Sequence, residues 1–434
     1  MAKDLDINVH HLTRVEGHGN IVVRAADGTV EKCVLEIVET PRVFESMIEG
    51  LNWSDTSLLT CRICGICSVG HTLASIQATD NAFGTEITEA SYVMRQIMCM
   101  AEQMQSHTLH VYFLAAPDAF DAPSVIPLAG SHPEVVKRAL KLKKLANTIC
   151  DVLCGRHIHP ISLRPGGFTY LPSKRALVGL KQTILDCYED IEATVETIAS
   201  VADKFPGFER EREDISLTHP DEYAFYNGRI KSSKAGEIDT ADYEQFIKEK
   251  CVKHSTSKHA YNVDESFAVG ALARFNNNAD QLNEQGKAAA EALGLTAPCY
   301  NPFANNFAQT VEIVHCYHEA LKWLDKLIAM DLSEADVTPN VVPRAGRGIG
   351  VTEVPRGMLV HDYTYDDAGV CTQANCIIPT GMNLGNIDRD MQTYVPSVID
   401  QRSQDEIAHD LEMMVRAYDP CISCSVHLLN VEWV

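Results

Sequence analysis

The sequence reads Arg62-Ile63-Cys64-Gly65-Ile66-Cys67 near its start and Asp419-Pro420-Cys421-Ile422-Ser423-Cys424 near its end. A histidine follows each motif, His71 after the first and His427 after the second. A Cys-x-x-Cys turn places two thiolates on one side of a tight bend, a geometry that suits one metal ion. Two such turns supply four sulfur ligands, a set that nickel, zinc and iron all accept. The two motifs therefore predict a four-sulfur metal cage that closes nearly the whole chain.

The spacing of the two motifs bears on which metal they hold. A structural zinc site is one interpretation, but zinc ribbons place their cysteine pairs roughly 15–20 residues apart. Here about 350 residues separate the pairs, which is an unusual way to staple a small element. A redox-active pair beside a merely buried pair is a second alternative. The remaining cysteines, such as Cys33 and Cys99, lack paired spacing and are expected to be small buried hydrophobes.

Composition and charge narrow the class of protein. The chain has 434 residues and is 45% hydrophobic, which is enough for a substantial core. Its net charge of -22 argues against binding to the negatively charged backbone of a nucleic acid. The N-terminus lacks the apolar core of a signal peptide, and no window of roughly 18 apolar residues predicts a membrane helix. We therefore expect a cytoplasmic protein without membrane insertion, in which cysteine pairs indicate metal or redox chemistry.

The pattern of apolar residues predicts a mainly α fold of the α+β class. Small β elements are expected near the N- and C-terminal parts, and the Gly346–Gly350 stretch is expected to be a loop. Two hairpins are predicted. The first joins strands Ile21–Arg24 and Val30–Val38 through a turn at Asp27-Gly28, and the second joins Met358–Tyr365 and Val370–Ile378 through a turn at Asp366–Gly369.

Long helices are expected to form the centre of the molecule. They are predicted at Glu89–Ala116 (ending before Pro117), Ser173–Asp203, Asp280–Leu293 and Phe303–Met330, with a last helix that runs to Arg416. The charged stretch from Phe205 to His259 is expected to be a surface insertion. Neither an internal repeat nor a linker divides the chain, so residues 1–434 are expected to form one domain.

Several further motifs, in the right order along the chain, show a resemblance to a known family. Together with the two cysteine motifs they resemble the signature segments of nickel–iron hydrogenase large subunits. Those motifs are Arg14–His18, Ser106–His110, Leu114–Asp118, His159-Pro160, Pro165–Gly167, Asn301–Asn306, Glu353–Gly357 and Ile378–Thr380. The stretches Asn301–Asn306 and Val415–Asp419 are especially similar to the cytoplasmic, multi-subunit, NAD(P)-linked or sulfhydrogenase-type branch. The resemblance implies a bundle of long helices around a buried metal centre.

The resemblance also implies the ligands of that centre. Cys64 and Cys421 would be terminal nickel ligands, and Cys67 and Cys424 would bridge nickel to an iron that carries CO and cyanide. A magnesium ion beside the centre would take Glu45, the backbone carbonyl of Cys376 and His427 as its protein ligands. Magnesium prefers oxygen ligands, so the histidine is the less usual member of that set.

The resemblance further implies the residues that act on H2. Cys421 would accept the proton, and Glu16 would take it next. Arg356 would overhang the metals, with Asp118 and Asp419 as its carboxylate partners, since a buried guanidinium needs such pairing. Two plainer alternatives stay open: Glu16 as an ordinary surface carboxylate, and Arg356 as a structural ion pair.

Other residues are implied around the edge of the centre. Thr380 would hydrogen-bond a cyanide, and Pro379 would shape the same pocket. His71 and His18 would orient ligands, or else be satisfied core histidines. In most members of the family a short tail after the last histidine is removed in maturation, and residues 428–434 would be that tail.

Partners follow from what the sequence lacks. No further cysteine array suits an iron–sulfur cluster, so an iron–sulfur small subunit is implied. No Gly-x-Gly-x-x-Gly fingerprint follows a strand, so any NAD(P) or flavin site would lie on a diaphorase subunit. An H2 sensor would share these motifs, whereas the related quinone-site subunit of respiratory complex I lacks the four cysteines. The chain is therefore expected to be an H2-cleaving [NiFe] hydrogenase subunit that passes electrons towards NAD(P) or ferredoxin.

Overall fold

The computed structural model describes residues 4–426, and 51% of the chain is helical. The helices are α1 (Phe44–Ile48), α2 (Trp53–Thr60), α3 (Ser68–Phe83), α4 (Glu89–Leu109), α5 (Ala116–Ala119), α6 (Val125–Ser131), α7 (Pro133–Cys154), α8 (Lys174–Leu185), α9 (Tyr188–Ala199), α10 (Ala271–Asn278), α11 (Glu284–Ala292), α12 (Asn305–Ala329), α13 (Pro379–Val398), α14 (Gln404–Ala417) and α15 (Ile422–Ser425). The expected mainly α, α+β class is confirmed.

The strands form small sheets around the helices. They are β1 (Leu5–Val9), β2 (Gly19–Ala26), β3 (Thr29–Ile37), β4 (Leu163–Arg164), β5 (Gly167–Phe168), β6 (Glu213–Thr218), β7 (Arg229–Ser232), β8 (Gly236–Ile238), β9 (Lys248–Lys250), β10 (His259–Tyr261), β11 (Phe267–Ala268), β12 (Gly346–Val354), β13 (Gly357–Tyr365) and β14 (Cys371–Ile377). The larger sheets have the orders β1-β2-β3, β12-β13-β14 and β11-β6-β7-β8.

The core of the bundle is built on α4, which packs against both α7 and α12. Apolar side chains of α4 such as Met94, Ile97 and Ala101 are fully buried. Thr88 caps the start of α4 by accepting a hydrogen bond from the Ser91 N–H at 3.2 Å. The predicted end before Pro117 is wrong, because a π-helical stretch (His110–Ala115) continues into α5. Pro117 is the second residue of α5, directly after the π-helical stretch.

Two other helical predictions need correction. The predicted Ser173–Asp203 helix is two helices, α8 and α9, because Cys187 between them has non-helical backbone angles (φ -106°, ψ 5°). Helix α7 was not predicted, although Pro133 in its first turn and Gly155 at its end (φ 70°) are both ordinary boundary signals. The predictions for α11, α12 and α14 are confirmed, with boundaries shifted by up to four residues.

Both predicted hairpins are present. Strands β2 and β3 pair antiparallel, and Asp27 and Gly28 both have positive φ in the tight turn between them. Strands β13 and β14 pair as predicted. The prediction of a loop at Gly346–Gly350 is wrong, because these residues begin strand β12. At Gly350 an added Cβ would lie 2.0 Å from the Ala74 carbonyl oxygen, so the glycine lets β12 lie directly on α3.

The stretch from Phe205 to His259 is not the expected surface insertion. Every residue of β6 is buried, and Ile215, Leu217 and Ile230 share a core cluster with Val351 and Val360 of the β12–β13 sheet. Its many charged residues had suggested exposure, but Glu213 and Asp214 are buried with hydrogen-bond partners. Within residues 4–426, none of the helices combines the length and apolar character that a bilayer crossing needs. That the chain forms one domain stays a prediction.

Candidate metal centre

The fold brings the two cysteine motifs together from opposite ends of the chain. Cys64 follows a 3-10 turn, and Cys67 directly precedes α3. In the second motif, Cys421 directly precedes α15 and Cys424 lies within that helix. All four side chains are buried. The Cys64 and Cys421 sulfurs are 3.6 Å apart, and those of Cys64, Cys421 and Cys424 lie within 4.8 Å of one another. The two motifs therefore meet in a cluster of buried cysteines, and that this cluster is a metal cage stays a prediction.

Backbone contacts hold the two motifs in place. Glu16 and Cys421 form an isolated parallel β-bridge, in which the Ile422 N–H donates to the Glu16 carbonyl at 2.9 Å. The Arg42 guanidinium donates to the Ile63 carbonyl at 2.6 Å and also to the Ser423 carbonyl. One side chain thus contacts both motifs. Arg42 was missed by sequence reasoning, because a lone arginine beside a proline gives no signal of this role.

The two thiols of the first motif differ in pKa: the hydrogen bond to Cys64, together with burial, raises the pKa of Cys67 well above its ordinary value. A hydrogen bond from Cys67 lowers the pKa of Cys64 to about 7, and the Arg356 guanidinium adds to the effect while burial opposes it. Cys421 and Cys424 form a disulfide in this structure, whereas metal ligation would require both as thiolates. Four buried sulfurs form a soft donor set, which fits nickel and iron. The residues present therefore fit the expected centre.

Arg356 lies over the cysteine cluster. It is 3% exposed, and its Nη1 donates to the Cys67 sulfur at 3.2 Å and to the Ser106 hydroxyl at 3.3 Å. Its Nη2 donates to the Asp419 carboxylate at 2.7 Å, and its Nε donates to the Asp419 carbonyl at 2.7 Å. The guanidinium is thus fixed by Asp419 and aimed at a cysteine ligand.

Asp118 does not pair with Arg356, which corrects the expected role of this residue. Its carboxylate instead accepts hydrogen bonds from Arg416, at 2.8 and 3.0 Å, and from the Arg14 guanidinium. Arg14 precedes Glu16 in the N-terminal motif, and Arg416 precedes Cys421 near the C-terminal end of the chain. The physical reason is that two other cations already occupy both carboxylate oxygens. Asp118 therefore fastens the α5 region to both ends of the chain.

Glu16 contacts the expected proton-accepting cysteine directly. The Cys421 sulfur lies 3.2 Å from Glu16 Oε2, and the Ser423 N–H donates to the same oxygen at 3.1 Å. The Ser423 hydroxyl donates to Glu16 Oε1. The side chain is only partly buried, so it lies between the cysteine cluster and the protein surface. This position is the one that a proton acceptor next to Cys421 requires.

Of the residues expected around a magnesium ion, the structure describes Glu45 and Cys376. The Cys376 N–H donates to Glu45 Oε1 at 2.9 Å, and burial raises the pKa of Glu45. Two of the three expected ligand residues are therefore neighbours. His427, the third, and the expected maturation tail 428–434 lie outside the described residues.

The edge of the centre is polar. The Cys421 N–H donates to the Thr380 hydroxyl at 2.9 Å, and Pro379 begins helix α13 beside it. His71 is buried, and its Nδ1 is hydrogen-bonded to His361 Nε2 at 3.1 Å. His361 in turn contacts the Tyr363 hydroxyl. His18 has a side chain that is 65% exposed, so it is neither a core histidine nor in contact with the cysteines.

Glu102 is a further polar residue of the centre that sequence reasoning missed. It is fully buried on α4, and both of its oxygens accept from the Gly70 N–H at 2.9 Å. Burial is the main cause that raises the pKa of Glu102 to about 8, and the nearby Cys64 adds to it. A glutamate inside the apolar Met98–Met104 stretch was the available signal.

The chain is similar to known proteins over nearly its whole length. The model of the nickel-dependent hydrogenase family matches residues 42–131 and 211–427. The alpha subunit of sulfhydrogenase 1 from Pyrococcus furiosus is 33% identical, over 98% of this chain and 99% of that protein. The beta subunit of the NAD-reducing hydrogenase HoxS from Cupriavidus necator is 27% identical, over 96% of this chain and 94% of that protein.

Solved structures agree with the sequence relatives. The crystal structure of an NAD+-reducing [NiFe]-hydrogenase in the H2-reduced state superimposes with a TM-score of 0.86 at 28% identity, covering 97% of this chain and 99% of that one. A [NiFeSe] hydrogenase variant from Desulfovibrio vulgaris Hildenborough shares the fold, with a TM-score of 0.79 at 22% identity over 98% of this chain and 100% of that one. The chain therefore belongs to the nickel-dependent hydrogenase family, as a large catalytic subunit of the [NiFe] type.

Proposed function

We propose that this subunit cleaves H2 heterolytically at a nickel–iron centre held by Cys64, Cys67, Cys421 and Cys424. The observation that carries the proposal is the 3.2 Å contact between the Cys421 sulfur and Glu16, at the edge of a buried four-cysteine cluster. When bound, the two metals would polarise H2, which offers no charge or dipole to grip, and would take up its electrons. Each H2 yields two protons and two electrons.

The first proton step belongs to two side chains. The Cys421 thiolate accepts a proton at its sulfur and passes it to Glu16 Oε2, which lies within hydrogen-bonding distance. Ser423 holds both Glu16 oxygens in position through its N–H and its hydroxyl. Because Glu16 is only partly buried, it can release the proton towards the surface.

Arg356 and the start of α13 shape the space around the metals. Asp419 fixes the Arg356 guanidinium by two hydrogen bonds, so its positive charge stays beside the Cys67 sulfur. Thr380 would hydrogen-bond a cyanide on the iron, and Pro379 would bound the pocket for the iron's small ligands. Glu45, the Cys376 carbonyl and His427 would hold a magnesium ion nearby.

Electrons leave through another subunit. We propose an iron–sulfur small subunit that receives them, and further iron–sulfur and NAD(P)- or flavin-binding diaphorase subunits that deliver them to NAD(P) or ferredoxin. The support is the likeness to subunits of an NAD-reducing hydrogenase and of a sulfhydrogenase. A cytoplasmic location belongs to the same proposal.

The proton step is tested by hydrogen–deuterium exchange in the assembled complex. Glu16→Gln keeps the size of the side chain but removes the proton acceptor, so D2/H2O exchange should slow by about 10²- to 10⁴-fold. Nickel and iron contents should stay unchanged. Glu31→Gln, on the exposed part of β3, is the matched control and should exchange like the unaltered enzyme. Unchanged exchange in Glu16→Gln, with the metals in place, would remove Glu16 from the route.

A further inference from the structure

A second group of metal-ligating side chains lies outside the cysteine cluster. His254, His259 and Asp388 each present one ligand atom, and these three atoms lie within 4.8 Å of one another. His254 Nε2 is 2.9 Å from Asp388 Oδ2. None of these residues has a part in the proposed chemistry of H2.

Three separate segments of the chain build this cluster. Asp388 lies on α13, and its Oδ1 accepts from the Leu35 N–H of β3 at 2.8 Å. His254 lies in the loop before β10, and His259 is the first residue of β10. Gly385 stands one turn before Asp388 on the same helix, and an added Cβ there would be 3.6 Å from His259 Nδ1. The absence of a side chain at Gly385 lets the His259 ring lie close to the helix and to Asp388.

His259 provides the second, independent observation. The residue is 3% exposed, and its Nε2 atom is buried without a hydrogen-bond partner among the residues the structure describes. Buried polar atoms are nearly always paired, so an unpaired ring nitrogen calls for an explanation. The His254 and His259 rings meet edge to face, with centroids 5.3 Å apart. A simple His254–Asp388 ion pair would account for two of the three side chains and leave His259 Nε2 without a role.

We propose that His254, His259 and Asp388 bind one divalent transition-metal ion, with Zn²⁺ as the ion that fits best. Two imidazole nitrogens and one carboxylate oxygen are a ligand set that zinc accepts, whereas magnesium and calcium prefer oxygen ligands alone. Adjacent ligand atoms of a tetrahedral zinc lie roughly 3.3 Å apart, so the hydrogen-bonded pair of His254 and Asp388, at 2.9 Å, would open by a few tenths of an ångström to admit the ion.

The surroundings leave one coordination position open. The side chains of His254 and Asp388 are 24% and 10% exposed, so water can complete the ligand set from the solvent side. Lys250 faces His259 across the β9–β10 pair, and its positive charge would repel a bound cation. The negative charge of the Asp388 carboxylate offsets that repulsion. The bound ion would join α13 to the loop at His254. That loop is already held to β3, because the Ile37 N–H donates to the His254 carbonyl. The ion would thus fasten the 205–259 stretch to the helix that begins beside the cysteine cluster.

The test uses the assembled complex with its hydrogenase centre loaded, after brief treatment with a chelator. Zn²⁺ alone is titrated, and both its stoichiometry and the unfolding temperature are measured. The unaltered protein should bind one equivalent and unfold at a higher temperature with zinc. Asp388→Asn and His259→Gln should bind zinc more weakly by at least about 10- to 100-fold, the loss that changing even an outer-shell partner causes, and should lose the thermal shift. If either variant fails to fold, His254→Gln, at the more exposed ligand, replaces it.

His157→Gln is the matched control. Its histidine also pairs with an aspartate, since His157 Nδ1 is 2.8 Å from Asp151 Oδ1, but within residues 4–426 no third ligand joins that pair. This variant should bind zinc like the unaltered protein. Co²⁺ binding separates this site from the cysteines, because thiolate ligands give intense charge-transfer absorption and a histidine–carboxylate site does not. No zinc binding beyond the loaded centre, equal binding by Asp388→Asn, or thiolate absorption from the added cobalt would each overturn the proposal.

Discussion

At the scale of single residues, the centre depends on how one arginine is held. Arg356 is buried and touches both Asp419 and the Cys67 sulfur. A planar guanidinium makes several directed hydrogen bonds at once, and a lysine ammonium cannot reproduce them. Position 356 therefore requires the guanidinium group of arginine, because a positive charge alone would not make these hydrogen bonds.

Replacing Arg356 by lysine should lower H2 oxidation by about 10²-fold, because a fixed charge beside the metals is lost. Nickel and iron should remain, since all four sulfurs are untouched. Arg347→Lys is the control, because that side chain is 47% exposed and pairs with Asp362 away from the cysteines. Turnover of Arg356→Lys equal to that of Arg347→Lys would reduce Arg356 to a structural ion pair.

Sequence reasoning identified most of the candidate site but not how its members pair. The four cysteines were predicted from their paired spacing, and Glu16 and Arg356 from motif resemblance; the structure brings them together. The partners of Asp118 were not predictable, because the choice between Arg356 and Arg416 depends on where three distant segments meet. Glu102 was missed for the same reason, since its partner Gly70 lies on another helix.

At the scale of elements, glycines decide how closely β12 approaches α3. The sequence suggested a loop at Gly346–Gly350, because glycines usually weaken strands. The structure instead uses Gly348 and Gly350 to admit the α3 backbone, and an added Cβ at either would lie 2.0 Å from an α3 carbonyl oxygen. Glycine spacing alone cannot distinguish a loop from a strand that another backbone approaches this closely.

Gly350→Ala should therefore destabilise the chain, by about 1–3 kcal/mol as an overpacked core position does. The measurement is the unfolding temperature of the variant complex. Gly179→Ala is the control, because Gly179 lies at an exposed position of α8, where an added Cβ would meet no atom of the described part of the chain within 4 Å. That change should leave the unfolding temperature equal or slightly higher, since alanine favours helix. A Gly350→Ala variant as stable as Gly179→Ala would contradict the packing described for β12.

A buried ion network joins three helices. Glu312 of α12 accepts from Arg274 of α10 at 2.7 and 2.6 Å and is 2.7 Å from His107 of α4. Burial alone would raise the pKa of Glu312, but the Arg274 charge and these hydrogen bonds lower it to about 2. A lowered pKa means that the ionised carboxylate stabilises the fold above the ordinary value of 4.5, and that this contribution is lost as the pH falls towards 2.

Glu312→Gln should cost about 3–5 kcal/mol at neutral pH, because Arg274 keeps its buried charge with a weaker set of partners. The difference in unfolding temperature from the unaltered protein should shrink as the pH is lowered from 4.5 towards 2. A difference that stays constant over that range would show that the ionised carboxylate is not the stabilising form. Glu412→Gln, on a more exposed partner of Arg416, serves as the control.

At the scale of the whole molecule, the two ends of the chain meet at one buried cluster. Residues from Glu16 to Cys424 contribute to it, so the centre can form only when nearly the whole chain has folded. The long separation of the two cysteine motifs predicted this closure, and resemblance predicted the helical bundle. The burial of β6 within the 205–259 stretch was not predictable, because its charged Glu213 and Asp214 find partners such as Ser232 and Asn276 that lie far along the chain.

The most direct test of the account is the nickel, iron and zinc content of the complex purified without oxygen. It is measured for the unaltered protein and for Asp388→Asn, so that zinc at the histidine cluster is counted separately. The account predicts stoichiometric nickel and iron in both proteins, and their loss in a Cys421→Ser variant. Zinc on the four cysteines with no nickel, from a host that assembles nickel centres, would contradict it.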